Sequence, residues 1–414
     1  MTIDGQPGKR RVLLTGGRSP AALELARGFR QSGCRVFSAE SAPYHLSRVS
    51  RAVERSFLVP APAEDPPGFA EALRAIAVEM DIDVLVPTCE EIFYVAKELG
   101  RFEGVCRVFS SPIAELDRLH HKGEFVRTAA KLGLSVPVTE TFVDPEGWLP
   151  LLDDPGFAEG IVLKPAYSRF AARTVLVDRK AGNAGERKIK ETLRRLRQDP
   201  LLASGEHPWV AQELLRGEEW CTYSVAHEGR LSAHAAYRSR FRAGRGASIH
   251  YEHAEQPLLF EWVERFVAAI GFTGQIAFDF MISPEGRAIP MECNPRATSG
   301  VHLLGQGGQL ADAILAPRKL LSSGRVAKPS PGAGGAMLTA AMLSFGLAQA
   351  ARDGLLGEWL RAVRTGRDVV FRKDDPRPFA EQFRLLAWTR RIARSRGITL
   401  QEASTLDIEW NGER

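Results

Sequence analysis

The sequence predicts an α/β region followed by an α+β region and a small C-terminal piece. Three observations carry that reading. Short apolar runs alternate with helical spacing as far as Ser110, the pattern of a parallel sheet flanked by helices. Shorter strands and one marked hairpin follow as far as Leu321. A stretch rich in Gly, Pro and Ser then separates off the remainder, Ala336 to Arg414. At 414 residues, the length suits two to four domains of about 150 residues each.

The first region reads in order. Arg11–Thr15 is a strand that stops at Gly16-Gly17, and Leu23, Ala26 and Phe29 carry helical spacing after it. Arg35–Ser38, Ser56–Val59, Asp83–Val86 and Arg107–Ser110 read as further buried strands, with helices over Phe69–Met80 and Glu91–Leu99. A new unit begins near Pro112. Leu119–Leu132 reads as one helix stopped by Gly133. Strands follow at Val138–Val143, Ile161–Pro165, Thr174–Val177, Trp209–Glu213 and Trp220–Ala226, with a basic helix at Glu186–Arg197 whose arginines suit a solvated face or an anionic partner. The expected division is 1–112, then 113–321 in two subdomains of about 113–210 and 211–321, a linker at 322–335, and a C-terminal domain or lid at 336–414.

Composition narrows the function classes. Apolar residues make up 44%, which excludes wholesale disorder. No apolar run approaches the roughly 18–20 residues of a membrane span; Ala336 to Ala351 is interrupted by Thr339, Ser344, Gly346 and Gln349. The N-terminus carries no secretory signal pattern. Five scattered cysteines, Cys34, Cys89, Cys106, Cys221 and Cys293, form no C-x-x-C pair, so a reduced, cytoplasmic protein is expected. A net charge of +5, without a long basic block, argues against nucleic-acid binding.

The most informative segment is Gly274 to Arg296. Ser283-Pro-Glu-Gly286 is a turn between two alternating runs. Ile276, Phe278, Phe280 and Ile282 share one face of the first run; Ile289, Met291 and Cys293 share one face of the second. The opposite face then presents Asp279, Glu292 and Asn294 within cross-strand reach. Such oxygen donors suit Mg²⁺, with Mn²⁺ as an alternative. Arg296 follows a proline and is placed to hold a phosphoryl group or a developing anion. A solvated polar sheet face is the competing reading.

E-x-N-P-R after an F-D-F strand resembles the metal-binding signature of the ATP-grasp superfamily, which includes biotin carboxylase and the synthetase domains of carbamoyl phosphate synthetase. The resemblance covers about Arg11 to Leu321 and implies a Rossmann-like N-terminal domain, a two-subdomain grip on ATP, and activation of a carboxylate as an acyl phosphate. By the same resemblance, Lys122 in His121-Lys-Gly123, where His121 replaces the usual Asp, and Lys164 in Ile161-Val-Leu-Lys-Pro165 are phosphate contacts. Lysine is scarce here, most of the 55 basic residues being arginine. Gln212-Glu-Leu-Leu-Arg-Gly-Glu-Glu219 resembles the hinge strand: backbone groups near Glu213 and Leu214 would read adenine, Glu219 would accept from the ribose, and Gln212 stands where many members have an acid. The loop Ala166–Arg173 departs from the family in lacking glycine, and Arg169 is expected to replace amide contacts to phosphate.

Arg238, Arg240, Arg242 and Arg245 suggest a mobile anion-binding loop, with Arg240 the expected catalytic member beside Lys164 and Arg296; a strand edge explains them equally. His250 and His253 lack a third metal ligand. Thr15-Gly16-Gly17-Arg18 lacks the G-x-G-x-x-G fingerprint of a dinucleotide site, which disfavours a nicotinamide oxidoreductase. Glu90 or Glu91 would either hold a cationic acceptor or cap the next helix.

The reading is an ADP-forming carboxylate–amine ligase using ATP and Mg²⁺, with a small-molecule carboxylate and a nucleophilic acceptor as partners. An alcohol or thiol acceptor is the alternative, as is a non-catalytic nucleotide-binding module. The C-terminal piece, including the Arg-rich Phe383–Arg396, is expected to be a packed lid or homodimer face rather than a membrane contact.

Overall fold

A computed structural model describes residues 10–168, 173–179, 186–199, 202, 207–243, 247–305, 308–330 and 334–412. The chain opens with β1 (Arg11–Thr15), α1 (Pro20–Gln31), β2 (Arg35–Glu40), β3 (Arg55–Leu58), α2 (Pro66–Glu79), β4 (Val84–Val86), α3 (Glu91–Lys97) and β5 (Arg107–Val108). The strands are all parallel, in the order β3-β2-β1-β4-β5. The order reverses at β1, so the carboxyl ends of β1 and β4 flank the crevice where such sheets bind ligands. Local sequence explains the helix starts: Ser19 accepts from the Ala22 amide at 3.0 Å and Asp65 from the Gly68 amide at 3.0 Å. Gly16 holds φ +69°, and a Cβ there would lie 2.5 Å from Thr88 Oγ1, so the turn after β1 is a tight packing turn.

Next come α4 (Ile113–His120) and α5 (Lys122–Lys131). The expected single helix over Leu119–Leu132 is broken at His121, which is extended (φ −69°, ψ 110°) and caps α5 by accepting from the Glu124 amide at Nδ1, 3.1 Å. The residue that replaces an aspartate thus does an aspartate's capping work.

A four-stranded antiparallel sheet, ordered β6-β9-β7-β8, is built from β6 (Thr139–Phe142), β7 (Gly160–Pro165), β8 (Val175–Asp178) and β9 (Trp209–Glu213), with α6 (Glu186–Arg197) alongside. It has its own core around Trp148, Phe157, Leu163, Leu196 and Trp209. A seven-stranded sheet follows. It takes β10 (Glu218–His227) and β11 (Arg230–Arg238); passes the short ribbon β12 (Arg242–Ala243) with β13 (Ala247–Ser248); and then takes β14 (His250–His253), β15 (Gly274–Ile282), β16 (Ala288–Asn294), β17 (Ala336–Met337) and β18 (Arg367–Asp368), with α7 (Pro257–Ile270) across it. Its order is β16-β15-β10-β11-β14-β17-β18. β17 and β18 come from beyond 322–335, so the sheet runs on into the C-terminal piece.

Two cores join these parts. One runs from α1 into Tyr223, Tyr237, Tyr251, Val301 and Ile314. The other packs α3, α4, α5 and α7 against Phe278, Phe280 and Cys293 of the hairpin. Buried charge also links the ends of the chain: Glu24 on α1 meets His302 at 3.1 Å, Arg367 at 3.2 Å and Arg372 at 2.6 Å, and Arg27 meets Asp375 at 3.0 Å. Among the described residues no helix is long and apolar enough to cross a membrane.

The His121 cap yields a stability prediction. Burial pushes the His121 imidazole below its ordinary value despite the nearby Glu124 charge, so the folded chain holds fewer protons here than the unfolded chain as pH falls through the histidine range. The cap's contribution is present above about pH 6.5 and lost below it. His121→Ala should lower stability by about 1 kcal/mol at pH 7.5, and His121→Asp should restore it and remove the pH dependence, read from urea midpoints.

Candidate active site

The site lies where the four-stranded sheet faces the hairpin β15–β16. Lys164 near the end of β7 is 8% exposed. Its Nζ donates to Gln212 Oε1 on β9 at 2.9 Å and crosses to the Met291 carbonyl on β16 at 3.1 Å. Gln212 Nε2 donates to Thr139 Oγ1 at 3.1 Å, which fixes the amide's orientation. Lys122, at the first turn of α5, is 3% exposed; its Nζ donates to the Ser168 carbonyl at 3.1 Å and lies 3.9 Å from Glu292 Oε2. Burial lowers both amines, Lys164 to about 8, against the raising effect of Glu292.

The carboxylates come from the hairpin, in a register that differs from simple alternation. Asp279 stands opposite Glu292, Phe278 opposite Cys293 and Ala277 opposite Asn294, but Phe280 pairs with Pro290. Met291 is therefore the extra residue of a β-bulge, and the expected shared face of Ile289, Met291 and Cys293 does not form: Ile289 pairs with Met281 instead. A signal was present, because a proline inside a strand marks an edge or a bulge, and β16 is both the edge strand and bulged. The bulge frees the Met291 carbonyl to meet Lys164.

Asp279 and Glu292 face each other across the hairpin. Burial and the neighbouring Glu292 charge hold Asp279 up at about 7. Burial would also raise Glu292, but Lys122 and Lys164 outweigh it and keep Glu292 below the usual range. Asn294 Nδ2 donates to Glu292 Oε1 at 3.2 Å, while its Oδ1 accepts from Arg296 Nη2 at 3.0 Å. Arg296 Nη2 also lies 3.6 Å from Glu90 Oε1. Among the described residues no cluster of three or more His, Cys, Asp or Glu could hold a metal. The candidate set is two carboxylates and one carboxamide, oxygen donors of the kind a hard cation takes. These donors fit Mg²⁺ that draws its remaining ligands from phosphate and water.

The structure brings Lys122, Lys164, Gln212, Asp279, Glu292, Asn294 and Arg296 together. It does not bring Arg240 there: Arg240 forms a two-pronged pair with Glu358, at 2.8 and 3.0 Å. Among the described loop arginines, Arg242 is the one that pairs with Glu219; burial lowers it, and the Asp279 charge acts against that. Alternation along the loop could not say which arginine makes that pair. At the hinge, the Glu213 amide is taken by Val138 O at 2.9 Å and the Leu214 amide by Gly160 O at 3.0 Å. Glu213 Oε1 accepts from the Val138 amide at 2.9 Å. Arg169 lies outside the described residues, as does Arg245. Neither Glu90 nor Glu91 caps α3 with its side chain; Glu91 instead ties the ends of β1 and β4, accepting from Thr15 Oγ1 and from the Thr88 and Cys89 amides at 2.7–3.0 Å. His253 Nδ1 bonds the Ala236 carbonyl at 2.9 Å.

No protein-family model matches the chain. The chain is 23% identical over 291 residues to the C-terminal section of the carbamoyl phosphate synthase large chain of Methanopyrus kandleri, covering 66% of this chain and 49% of that one. It therefore spans about half the length of that curated relative. Among solved structures, it resembles N5-carboxyaminoimidazole synthetase from Staphylococcus aureus, with a TM-score of 0.57 and 14% identity over 74% of this chain and 77% of that one. It also resembles an L-amino acid ligase from Bacillus licheniformis, at 0.56 and 16% over 74% and 76%. Phosphoribosylamine–glycine ligase from Thermotoga maritima gives 0.57 and 18% over 78% of each chain. The fold shared with these structures is the ATP-grasp fold.

The raised Asp279 carboxyl has a measurable consequence. An ordinary aspartate ionises near pH 4, whereas Asp279 does so near 7, so the folded chain holds the extra proton between those values. Its contribution to stability falls as pH rises through that window and stays lost above it. Asp279→Asn should therefore stabilise the metal-free protein at pH 8, by about 1–3 kcal/mol. The same change should abolish any rise in thermal midpoint that Mg²⁺ or Mn²⁺ gives the parent. A variant no more stable than the parent at pH 8 contradicts the assignment.

Proposed function

We propose that this protein is an ATP-dependent, ADP-forming ligase that joins a small-molecule carboxylate to an amine. The observation that carries the reading is Lys164, whose ammonium bridges the two sheets to Met291 with Lys122 and Glu292 beside it. Two desolvated amines next to two carboxylates make a cleft prepared for polyphosphate and a divalent cation. The names of the similar structures favour carbon–nitrogen bond formation, two of them being an L-amino acid ligase and a phosphoribosylamine–glycine ligase.

Each residue then has a role. Asp279 and Glu292 would hold Mg²⁺, with Asn294 as a third donor once Arg296 releases its oxygen. Bound Mg–ATP would supply the phosphoryl group and neutralise charge on it. Lys122 and Lys164 would bind phosphate oxygens, and Gln212 orients Lys164 without cancelling its charge. Arg296 would steady the carboxylate and the anion that develops during transfer. The substrate carboxylate oxygen bonds to the γ-phosphorus as the bond to ADP breaks. The amine nitrogen then bonds to the acyl carbon, phosphate leaves with its oxygen, and the amine loses a proton to solvent. This needs positioning and electrostatics, not a covalent nucleophile on the protein.

At the hinge, the Glu213 and Leu214 amides are engaged by Val138 O and Gly160 O, so an adenine edge would be read by the neighbouring backbone groups of the same strand end. Glu219 would accept from the ribose by exchanging its bond to Arg242.

Screening ADP release across amino acids and other carboxylates, singly and in pairs, tests the reading. The expected products are ADP and phosphate in an acceptor-dependent reaction; AMP and pyrophosphate would refute the scheme. Glu292→Gln and Lys164→Met should each lower turnover by about a hundredfold or more while the fold is kept.

A further inference from the structure

The segment Thr405–Gly412 returns from the C-terminal helices to the mouth of the parallel sheet. Asp407 forms a two-pronged pair with buried Arg18, Nη1 to Oδ1 at 2.7 Å and Nη2 to Oδ2 at 2.6 Å, and accepts from Ser41 Oγ at 2.6 Å. Its carbonyl accepts from the Ala63 amide at 3.0 Å. Arg18 also grips Glu40, so the segment is anchored to the carboxyl ends of β1 and β2. Paired and largely buried, this anchor is costly to break.

Three residues on, Trp410 is 5% exposed and inserts between α3 and α4. Its ring stacks on Phe93, with centroids 5.5 Å apart and planes at 12°, and meets Tyr94 edge-on at 5.2 Å. The Tyr94 hydroxyl donates to the Glu409 carbonyl at 2.6 Å. Two polar contacts then lead toward the cleft. Trp410 Nε1 donates to Asp117 Oδ1 at 2.7 Å, while Asp117 Oδ2 accepts from the Tyr167 hydroxyl at 2.9 Å. Tyr167 precedes Ser168, whose carbonyl holds Lys122. The Trp410 amide donates to Glu90 Oε2 at 3.4 Å, and the other oxygen of Glu90 faces Arg296 at 3.6 Å. Gly412 closes over the Tyr167 ring, where a Cβ would lie 2.9 Å away.

We propose that Thr405–Gly412 is a strap that positions the catalytic cleft, and that Trp410 is the positioning residue through which it acts. One branch runs through Asp117 and Tyr167 to the carbonyl that holds Lys122; the other runs through Glu90 to Arg296. The roles of Lys122 and Arg296 rest on the ligase reading above; the contacts themselves do not. Trp410 touches no reacting group. It sets the places of two cationic groups of the proposed cleft, Lys122 and Arg296, and small misplacements of such groups are expensive in rate.

The test uses the full chain with Trp410→Phe, which keeps a stacking ring but removes the Nε1–H that Asp117 accepts, and with Asp407→Asn, which weakens the anchor. The readouts are amide hydrogen exchange by segment, the Kd for Mg–ADP, and kcat and KM from ADP release with the acceptor that best supports the parent. Trp410→Phe should lower kcat about tenfold with the Kd for Mg–ADP changed by less than about threefold. Exchange should quicken at 113–123 and 294–299 while α2 and β8 keep the parent's rates. Asp407→Asn should move the same readouts in the same direction. Parent-like exchange in those two segments overturns the proposal, and so does exchange that quickens uniformly, which would make Trp410 a packing residue only. A parent chain that binds no Mg–ADP refutes the ligase reading instead, and the exchange pattern still decides the strap.

Discussion

Burying an ammonium between two sheets constrains everything else in the cleft. Lys164 loses its water, so its protons need acceptors placed by the fold. One comes from the same sheet, Gln212, and one from the opposite sheet, the Met291 carbonyl. A regular strand would spend the Met291 carbonyl on the ladder or turn it aside; the bulge presents it. The choice of glutamine at 212 has a physical reading as well. A carboxamide accepts the hydrogen bond without cancelling the charge, which leaves Lys164 electrostatically directed at Glu292 and at any anion entering the cleft. Lys122 repeats the arrangement with a backbone carbonyl, that of Ser168. Both amines are thus oriented by neutral groups and balanced by carboxylates farther off.

The sequence was legible where chemistry follows a period. Alternation along β15 placed Asp279 on the face away from Phe278 and Phe280, and E-x-N-P-R placed Glu292, Asn294 and Arg296 together. It was less legible where direction depends on a local irregularity. The bulge at Met291 breaks the period of β16, and only Pro290 hinted at it. His121 breaks a helix that periodicity alone would run straight through. β11 and α7 escaped notice because Arg230–Arg238 is nearly all small or apolar, with burial on both faces, and because Pro257–Ile270 starts at Gln256, whose side chain makes no cap, leaving Pro257 and Gly271 as its only boundary signals. Arg240 and Arg242 share a strand-like spacing, and the reach of Glu358 from the C-terminal helices decides which of them faces out.

Long-range pairing was the least readable part. Nothing near Glu24 announces that it meets Arg367 and Arg372, or near Arg18 that it meets Asp407. Once folded, these pairs explain why the C-terminal piece joins the molecule intimately. Burial would push Glu24 up, yet the His302 hydrogen bond and the Arg367 and Arg372 charges hold it down at about 2. Such a carboxylate stays ionised across the physiological range, and removing one of its partners would strand a buried charge. The same logic makes Asp407 an anchor: Arg18 sits at the end of β1 whether or not the returning segment is there, and Asp407 completes its charge balance.

A single chain of polar contacts runs through the site. Glu292 accepts from Asn294, Asn294 accepts from Arg296, and Arg296 lies against Glu90, which accepts from the Trp410 amide. Its first members belong to the hairpin, the next to the α/β region and the last to the returning segment. Each contact joins polar groups, so a change at one end alters the field at the next. On the proposed reading, a cation held by Asp279 and Glu292 would compete for the Asn294 oxygen, and Arg296 would then need another acceptor. Glu90 is already nearby but is shared with the strap, so the electron-rich oxygens of a bound phosphoryl or carboxylate are the better partner. On that reading the arrangement would tie the readiness of Arg296 to filling of the proposed cation site, using only hydrogen bonds that the folded chain already makes.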